Sequence, residues 1–180
     1  MYIDYKLEGK YVNLRSVTEE DAEFILEIRN NPQISKYLPP LNVTIEQQRQ
    51  WITKQRADQD SYYFLMTTPD GEPIGCISVY DIEGDMAETG RFCSFGDPYS
   101  NIEACVLLND FCFHNLGFKK IHIWVYEGNK PVIALNKSFG YKWTETKTDD
   151  KGESFKVGIL TPNHWIENRE KVLKKLRYKS

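Results

Sequence analysis

Residues 91–118, RFCSFGDPYSNIEACVLLNDFCFHNLGF, place a turn between a predicted strand and a predicted helix with an apolar face. The first backbone amides of a helix have no partner inside the helix, so they can bind an anion such as phosphate. Phosphate-binding loops usually contain several glycines, because glycine allows a close approach of the backbone. The turn at residues 96–101 contains only Gly96, and Pro98 has no amide to donate. The turn therefore has the position of an anion site without its usual composition.

The cysteines and histidines give little indication of metal or nucleophile chemistry. None of the four cysteines belongs to a CxxC pair or stands near a histidine at the spacing of metal ligands, so we expect no metal site. Cys93 has no histidine nearby in sequence that would activate it as a nucleophile. His114 and His122 have no meaningful spacing to each other, which favours structural or surface roles over catalysis.

Length and composition predict one ordinary globular domain over residues 1–180. The chain is 41% hydrophobic and 27% charged, which is typical of a single substantial core. The net charge of −3 is spread along the sequence, so we expect no binding to nucleic acid or to an anionic membrane. The exception is the basic tail REKVLKKLRYKS, which we interpret as a solvated amphipathic helix, with a polyanion contact as the alternative.

No segment has the composition of a membrane anchor or a leader. The start MYIDYKLEGK is charged and lacks a long apolar run, and no stretch approaches the ~18 apolar residues that a spanning helix needs. Unpaired cysteines are typical of a reducing compartment. We therefore expect a cytoplasmic protein, and the sequence leaves open whether it is a monomer or a homodimer.

Hydrophobic periodicity predicts the elements of the first half. The alternating segment YVNLRSV predicts a strand, and TEEDAEFILEIRNN predicts a helix that begins with a capping box formed by Thr18 and Asp21. A second helix, TIEQQRQWITKQRA, has Thr44 as its cap and a face that includes Ile45, Gln48, Trp51 and Ile52.

A dense β region follows. The Asp-Gly pair of PDGEP lies between YYFLMTT and IGCISVYDI, which strongly indicates a hairpin. The segment EGDMAE is interpreted as a further turn, and TGRFCSFGD as the third strand of an antiparallel meander.

The second half alternates helices and strands. The helix after residue 101 ends at Gly117, KKIHIWVY is a strand, and NKPVIALNKSFG is a helix closed by Gly140. Two strands, YKWTETKTD and ESFKVGILT, and a terminal helix, PNHWIENREKVLKKLRY, complete an α+β plan. A right-handed strand-helix-strand crossover makes residues 91–96 and 119–126 parallel neighbours, with a ligand crevice expected at their carboxyl ends.

This order of elements and four motifs resemble the GNAT superfamily of acyl-CoA-dependent N-acetyltransferases. The motifs are VNLRSVTEEDAEFILEIRNNP, DGEPIGCISVYDI, AETGR and GNKPVIALNKSFGY. Within the superfamily the chain looks most like the branch of ribosomal-protein-alanine N-acetyltransferases and their small-molecule relatives. The resemblance implies a mixed, mostly antiparallel sheet with a central parallel strand-helix-strand crossover and helices on both faces. It also implies acetyl-CoA as acyl donor and a primary amine as acceptor.

In that family the helix start binds the pyrophosphate of coenzyme A through a loop of the type Q/R-x-x-G-x-G/A. Residues 96–101, Gly-Asp-Pro-Tyr-Ser-Asn, lack both expected glycines and the leading cation. Asp97 would repel a pyrophosphate unless its carboxylate points away as a helix cap. The resemblance makes Tyr99, Ser100 and Asn101 the expected coenzyme contacts, and a site that is lost or reshaped is the alternative.

Two asparagines correspond to further coenzyme contacts of the family. Asn129 matches an asparagine at the start of the late helix. Seven residues on, the family often has a tyrosine that protonates the leaving thiolate, and this chain has Asn136, whose amide can only hydrogen-bond the sulfur. Tyr126, a water molecule or no dedicated acid are the alternatives.

The family chemistry also points to the strand before the turn. Backbone amides of Phe92, Cys93 and Ser94 are expected to hold the pantetheine arm and the carbonyl oxygen. Glu88 is the expected general base, because the resembling branch has an acidic residue there, and an exposed turn carboxylate is the alternative. Glu103, in the first turn of the helix, is expected to have a structural role.

The acceptor pocket is expected from the first two helices and their connection. Arg29 and Asn30 lie at a predicted helix end and Tyr37 lies in the following loop, where they can orient a substrate. A simple helix-end cation is the alternative for Arg29. A similar Arg-Asn helix end occurs in enzymes that acetylate nucleotide-linked amino sugars, so the acceptor is either such a sugar or another small-molecule or peptide amine. A non-catalytic relative that binds an acyl thioester or a partner protein is the competing functional class.

Overall fold

The computed structural model describes residues 3–58 and 61–177, so the end of the basic tail at residues 178–180 lies outside the described residues. The chain forms a mixed, mostly antiparallel sheet of eight strands with helices on both faces, which confirms the expected fold class. Its contacts divide it into two compact units. The first consists of residues 1–81 and 90–108, and the second of residues 82–89 and 109–180.

The first unit contains the antiparallel part of the sheet and the first helices. Its elements are β1 (Lys6–Glu8), β2 (Asn13–Ser16), a 3-10 turn (Glu19–Asp21), α1 (Ala22–Asn30), α2 (Ile45–Asp58), β3 (Tyr62–Thr67), most of β4 (Pro73–Glu83), the end of β5 (Met86–Ser94) and most of α3 (Pro98–Asp110). The strand order is β1-β2-β3-β4-β5. Strand β1 was not predicted, because its three residues are too few to show a period.

The second unit contains the start of β5 and the last elements. These are a π-helical turn (Phe111–Asn115), β6 (Lys120–Tyr126), α4 (Lys130–Phe139), β7 (Lys142–Thr148), β8 (Ser154–Leu160) and α5 (Pro162–Arg177). The strand order is β5-β6-β8-β7, with β5 and β6 parallel and the other pairs antiparallel. Among the described residues, no helix has the length and apolarity required to cross a membrane.

The parallel pair involves an earlier part of β5 than the sequence suggested. Gly84, with φ of +61°, and Asp85 complete the turn, so the strand begins at Met86. The predicted turn EGDMAE was therefore too long. Met86, Ala87 and Glu88 pair in parallel with Lys120, Ile121 and His122. As a result Glu88 lies within a strand and not in an exposed turn.

Three predicted helix boundaries are confirmed, whereas the helix predicted after residue 101 begins earlier, at Pro98, because the predicted turn at residues 96–101 was too long. Asp21 accepts hydrogen bonds from the backbone N–H and the hydroxyl of Thr18, at 2.8 and 3.1 Å. Thr44 and Gln47 form a second reciprocal box, with bonds of 2.8 and 3.2 Å. Gly140 has a φ of +100° at the end of α4, as a left-handed cap requires.

The core of the first unit joins α1 and α2 to β3, β4 and β5. Its buried members are Val17, Ala22, Ile25, Ile28, Ile52, Tyr63, Leu65, Cys76 and Cys93. The predicted inner face of α2 is only partly correct. Gln48 and Ile52 are buried, whereas Ile45 and Trp51 are each 39% exposed. The polar sequence of α2 offers too few apolar positions to fix its orientation, and tertiary packing decides which residues face inward.

Candidate active site

The turn before α3 is capped by its own aspartate. The carboxylate of Asp97 accepts the backbone N–H of Ser100 at 2.8 Å, and the carbonyl of Asp97 accepts the N–H of Asn101 at 3.0 Å. Asp97 is therefore the N-cap of the helix. The backbone amides of Ser100 and Asn101, which the sequence predicted as donors to an anion, therefore already have acceptors within the protein. Pro98 has no backbone N–H to donate.

The side chains in the first turn of α3 also bind the protein. The Ser100 hydroxyl donates to the carbonyl of Tyr11 at 3.3 Å, and the Asn101 amide donates to the carbonyl of Gly96 at 3.2 Å. The ring of Tyr99 packs against that of Tyr11, with centroids 5.6 Å apart. These contacts give Tyr99, Ser100 and Asn101 structural roles, and their contact with coenzyme A stays a prediction.

Replacing Asp97 with alanine should lower the free energy of unfolding by about 1 kcal/mol, the usual effect of losing an N-cap. For a chain of this size that corresponds to a fall in melting temperature of about 2–4 °C. Thermal unfolding followed by circular dichroism measures the change. Asp97→Asn retains a capping oxygen and should unfold like the parent, so equal losses in the two variants would contradict the capping role.

Glu103 has a structural role, as predicted, but it does not lie in the first turn of the helix as expected, because α3 begins at Pro98. Its carboxylate accepts the backbone N–H groups of Lys10, Tyr11 and Val12 at 3.0, 2.6 and 3.0 Å. The side chain is buried, and a Cβ added at Gly9 would collide with its carboxylate. Glu103 therefore anchors the loop between β1 and β2 to α3.

The three predicted acceptor-binding residues have different environments. Arg29 is 7% exposed and donates to the carbonyl of Pro39 at 3.2 Å. Asn30 binds the backbone of Leu41 through both ends of its amide, at 2.8 and 3.1 Å, and so fixes the α1–α2 connection. Tyr37 is 37% exposed, with the ammonium of Lys36 5.1 Å from the centre of its ring.

A cavity of about 430 Å³ lies within the first unit. Its wall includes two arginines, two aromatic rings, two glutamines and two aliphatic side chains: Arg29, Arg91, Trp51, Tyr63, Gln47, Gln48, Leu41 and Val43. Of the predicted acceptor-binding residues, only Arg29 lines this cavity. We refer to it below as the arginine cavity.

Arg91 was missed by the sequence interpretation. Its φ of +52° is unusual for a residue with a side chain, and it marks an irregularity inside β5 that redirects the side chain. The guanidinium stacks 4.1 Å from the ring centre of Tyr80 and 5.6 Å from that of Trp51. The available signal was Gly90, because a glycine inside a strand often marks a bulge or a close contact. A Cβ at Gly90 would lie 2.7 Å from the hydroxyl of Tyr80.

Cys93 belongs to the buried core of the first unit. Its side chain is 1% exposed, and its sulfur lies 3.2 Å from the hydroxyl oxygen of Ser35. A hydrogen bond with Cys76, aided by Ser35 and Arg29 and opposed by burial, lowers the pKa of the Cys93 thiol to about 7. Because the sulfur is buried, the expected contribution of Cys93 to coenzyme binding depends on its backbone. Phe92 and Ser94 flank it in β5.

In the second unit, Glu88 contacts His122. The two residues are directly opposite in the parallel pairing of β5 and β6, and Nε2 of the histidine lies 3.3 Å from Oε2 of the glutamate. The side chain of Glu88 is 16% exposed and that of His122 is 19% exposed. The other ring nitrogen of His122 is buried and has no hydrogen-bond partner among the described residues. The sequence missed His122 because its partner is remote along the chain, and only the register of the parallel strands could have indicated it.

The two predicted coenzyme asparagines lie on α4. Asn129 is its N-cap, and its backbone N–H donates to the carbonyl of Tyr126 at 2.8 Å. The amide of Asn136 donates to the carbonyl of Val132 at 2.9 Å. A second cavity, of about 400 Å³, lies beside the start of α4, and Lys130 is among its lining residues. Within residues 3–58 and 61–177, no three histidine, cysteine or acidic side chains come together as metal ligands.

Comparison with known proteins gives a family match over much of the chain. A family model described as an acetyltransferase (GNAT) domain matches residues 12–142. The chain is 22% identical over 139 residues to the SPbeta prophage-derived uncharacterized N-acetyltransferase YokL of Bacillus subtilis (strain 168), covering 74% of this chain and 77% of that protein. It is 22% identical over 158 residues to acetyltransferase PseH of Campylobacter jejuni, covering 86% and 95%.

A solved structure agrees with the fold over nearly its full length. Apo FdhC, described as a nucleotide-linked sugar GNAT, matches with a TM-score of 0.82 at 25% sequence identity. The match covers 97% of this chain and 99% of that chain.

Proposed function

Because the chain belongs to the GNAT acetyltransferase family and is an acyltransferase, we propose that it moves an acetyl group from acetyl-CoA to a primary amine of a small molecule or a peptide amino terminus. The family model includes residues of both compact units, which supports one domain over residues 1–180. The four cysteines are free, which supports a reducing compartment such as the cytoplasm.

The reaction requires a neutral amine beside a polarised thioester carbonyl. The amine nitrogen attacks the acetyl carbon, the carbon–sulfur bond breaks, and the nitrogen loses a proton. The departing thiolate takes up a proton from water or from a nearby donor. Since a thiol has a pKa of ~8.5, the thiolate can leave without a dedicated acid, and Asn136 need only hydrogen-bond it.

The contact between Glu88 and His122 is the observation that carries this proposal. Glu88 accepts the proton from the attacking amine, and the imidazole 3.3 Å away holds the carboxylate in position. A carboxylate that is mostly shielded from water and lies beside an imidazole has the geometry that a general base needs. This arrangement favours an enzyme over the non-catalytic relative, which has no need for a base.

The acetyl-CoA contacts are proposed mainly for the main chain. Backbone amides of Phe92, Cys93 and Ser94 hold the pantetheine arm and the carbonyl oxygen, a role that needs no particular side chain. The start of α3 contributes fewer backbone N–H donors to coenzyme binding than in a typical family member, because the carboxylate of Asp97 already accepts the N–H of Ser100. Asp97→Asn keeps the cap, removes the negative charge and should tighten acetyl-CoA binding if the pyrophosphate lies nearby.

We expect the purified protein to bind acetyl-CoA in titration calorimetry and to release free thiol when a suitable amine is added. The amine panel should contain nucleotide-linked amino sugars, peptides with free amino termini and spermidine. No binding at millimolar acetyl-CoA would contradict the proposal. Binding without turnover on any amine would support the non-catalytic alternative.

The proposed reaction has two candidate classes of amine acceptor. The resemblance to the ribosomal-protein-alanine branch supports a peptide amino terminus. The arginine cavity supports a nucleotide-linked amino sugar, because cationic side chains there suit an anionic substrate.

A further inference from the structure

In the part of the chain that the structure describes, no carboxylate balances the charge of the two arginines in the arginine cavity. Among the described residues neither Arg29 nor Arg91 forms an ion pair with a carboxylate, and no acidic side chain is among the residues that line the cavity. Nε of Arg29 and Nη1 of Arg91 are buried without a hydrogen-bond partner in that part of the chain. Arg29 is buried and Arg91 is half-buried, and a cation shielded from water is unfavourable without a counter-charge, so an anionic ligand in the cavity would stabilise both.

The side chain of Arg91 is held in place before any ligand binds. Its positive φ redirects it from the strand, and the rings of Tyr80 and Trp51 contact its guanidinium. A planar guanidinium fixed in this way can bind two oxygens of a phosphate or carboxylate side by side. Little rotamer freedom is lost on binding, because the side chain is already ordered.

The remaining wall of the cavity suits the rest of a nucleotide. Trp51 is 39% exposed, so part of its indole can contact a planar base, and the neutral amides of Gln47 and Gln48 add no opposing charge. A volume of about 430 Å³ falls within the usual range of small-molecule sites.

We infer that the arginine cavity binds the diphosphate of the acceptor, and that the acceptor is a nucleoside-diphosphate-linked amino sugar. The inference rests on the proposed function, since it names the substrate class for that reaction. Two phosphates supply the negative charges that two arginines require, whereas a polyamine would be repelled by them. The carboxylate of an amino acid could also bind the arginines, but it has only a single negative charge. The experiment below distinguishes a carboxylate ligand from a diphosphate ligand.

Titration calorimetry of the full chain with UDP, dTDP, GDP and CDP tests the inference directly, with acetate and spermidine as comparison ligands. At least one nucleoside diphosphate should bind, and Arg91→Gln should weaken it about tenfold or more through loss of charge-assisted hydrogen bonds. Arg91→Gly removes the side chain at a position whose positive φ glycine adopts readily, so this variant should still fold. Its affinity for the nucleotide should fall as much as that of Arg91→Gln. Arg49→Ala removes an exposed cation from the same helix as Trp51 and should bind like the parent.

The outcomes distinguish this inference from the proposed function. Acetyl-CoA binding without nucleotide binding, or nucleotide affinity that Arg91→Gln leaves unchanged, would overturn the inference and leave the acetyltransferase proposal intact. Binding of acetate or spermidine in preference to the nucleotides would also overturn it. Arg91-dependent nucleotide binding without acetyl-CoA binding would support the cavity assignment and contradict the proposed reaction.

Discussion

Glu88→Gln is expected to lower turnover by roughly 10²–10⁴-fold, the usual consequence of losing a general base. Glutamine has nearly the same shape as glutamate and preserves contact with His122, but it cannot accept a proton from the amine. The affinity for acetyl-CoA should change little, because the proposed donor contacts belong to the main chain of β5. Steady-state rates with the accepted amine and calorimetry with acetyl-CoA measure the two effects separately.

Two controls make this result specific to Glu88. Glu83→Gln changes an exposed carboxylate near the end of β4 and should leave the rate unchanged. His122→Gln keeps a hydrogen-bonding group beside Glu88, so it should lower turnover less than Glu88→Gln does. Equal rates in Glu88→Gln and the parent would assign the pair a purely structural role in joining β5 and β6.

Features encoded by neighbouring residues were predicted well from the sequence. The capping box at Thr18, the cap at Thr44 and the helix end at Gly140 each depend on residues within four positions of one another. The hairpin between β3 and β4 likewise depends on a short turn, where Gly71 has a φ of +96°. The order of these elements was sufficient for the family resemblance and the fold class.

The parallel pairing of β5 with β6 was predicted, but its register was not. The contact of Glu88 with His122 exists because β5 begins at Met86 and pairs in parallel with β6, and no local signal fixes that register. Arg91 enters the arginine cavity through a local irregularity of β5, where a single glycine was the only indication.

The polar residues in the first turn of α3 show the same limit of prediction from sequence. The sequence identifies Ser100 and Asn101 as possible donors to an anion, but it does not reveal that carbonyls of Tyr11 and Gly96 already accept from them. A helix start can therefore have the position of an anion site while its donors hold the protein together. Only the three-dimensional structure distinguishes the two uses.

Glu103→Ala is expected to lower the free energy of unfolding by about 3 kcal/mol, because it leaves three backbone N–H groups without their acceptor and each costs ~1–3 kcal/mol when buried. The amides of Lys10 and Tyr11 are only partly buried, so water can replace part of the lost hydrogen bonding. The expected loss in the free energy of unfolding is therefore near the lower end of the range for three such groups. Val12 is fully buried, so its amide has no access to solvent and should account for much of the loss. The corresponding fall in melting temperature is about 6–12 °C for a chain of this size.

Urea unfolding of the parent and of matched variants tests this account of Glu103. Glu23→Ala removes an exposed carboxylate from α1 and should change stability by less than ~0.5 kcal/mol, as ordinary surface substitutions do. Glu103→Gln should be intermediate, because its amide oxygen can accept one or two of the three N–H groups while its NH₂ group faces the third. If Glu103→Ala unfolds within ~0.5 kcal/mol of the parent, the three amides must find other acceptors, and the loop between β1 and β2 does not depend on α3 for its position.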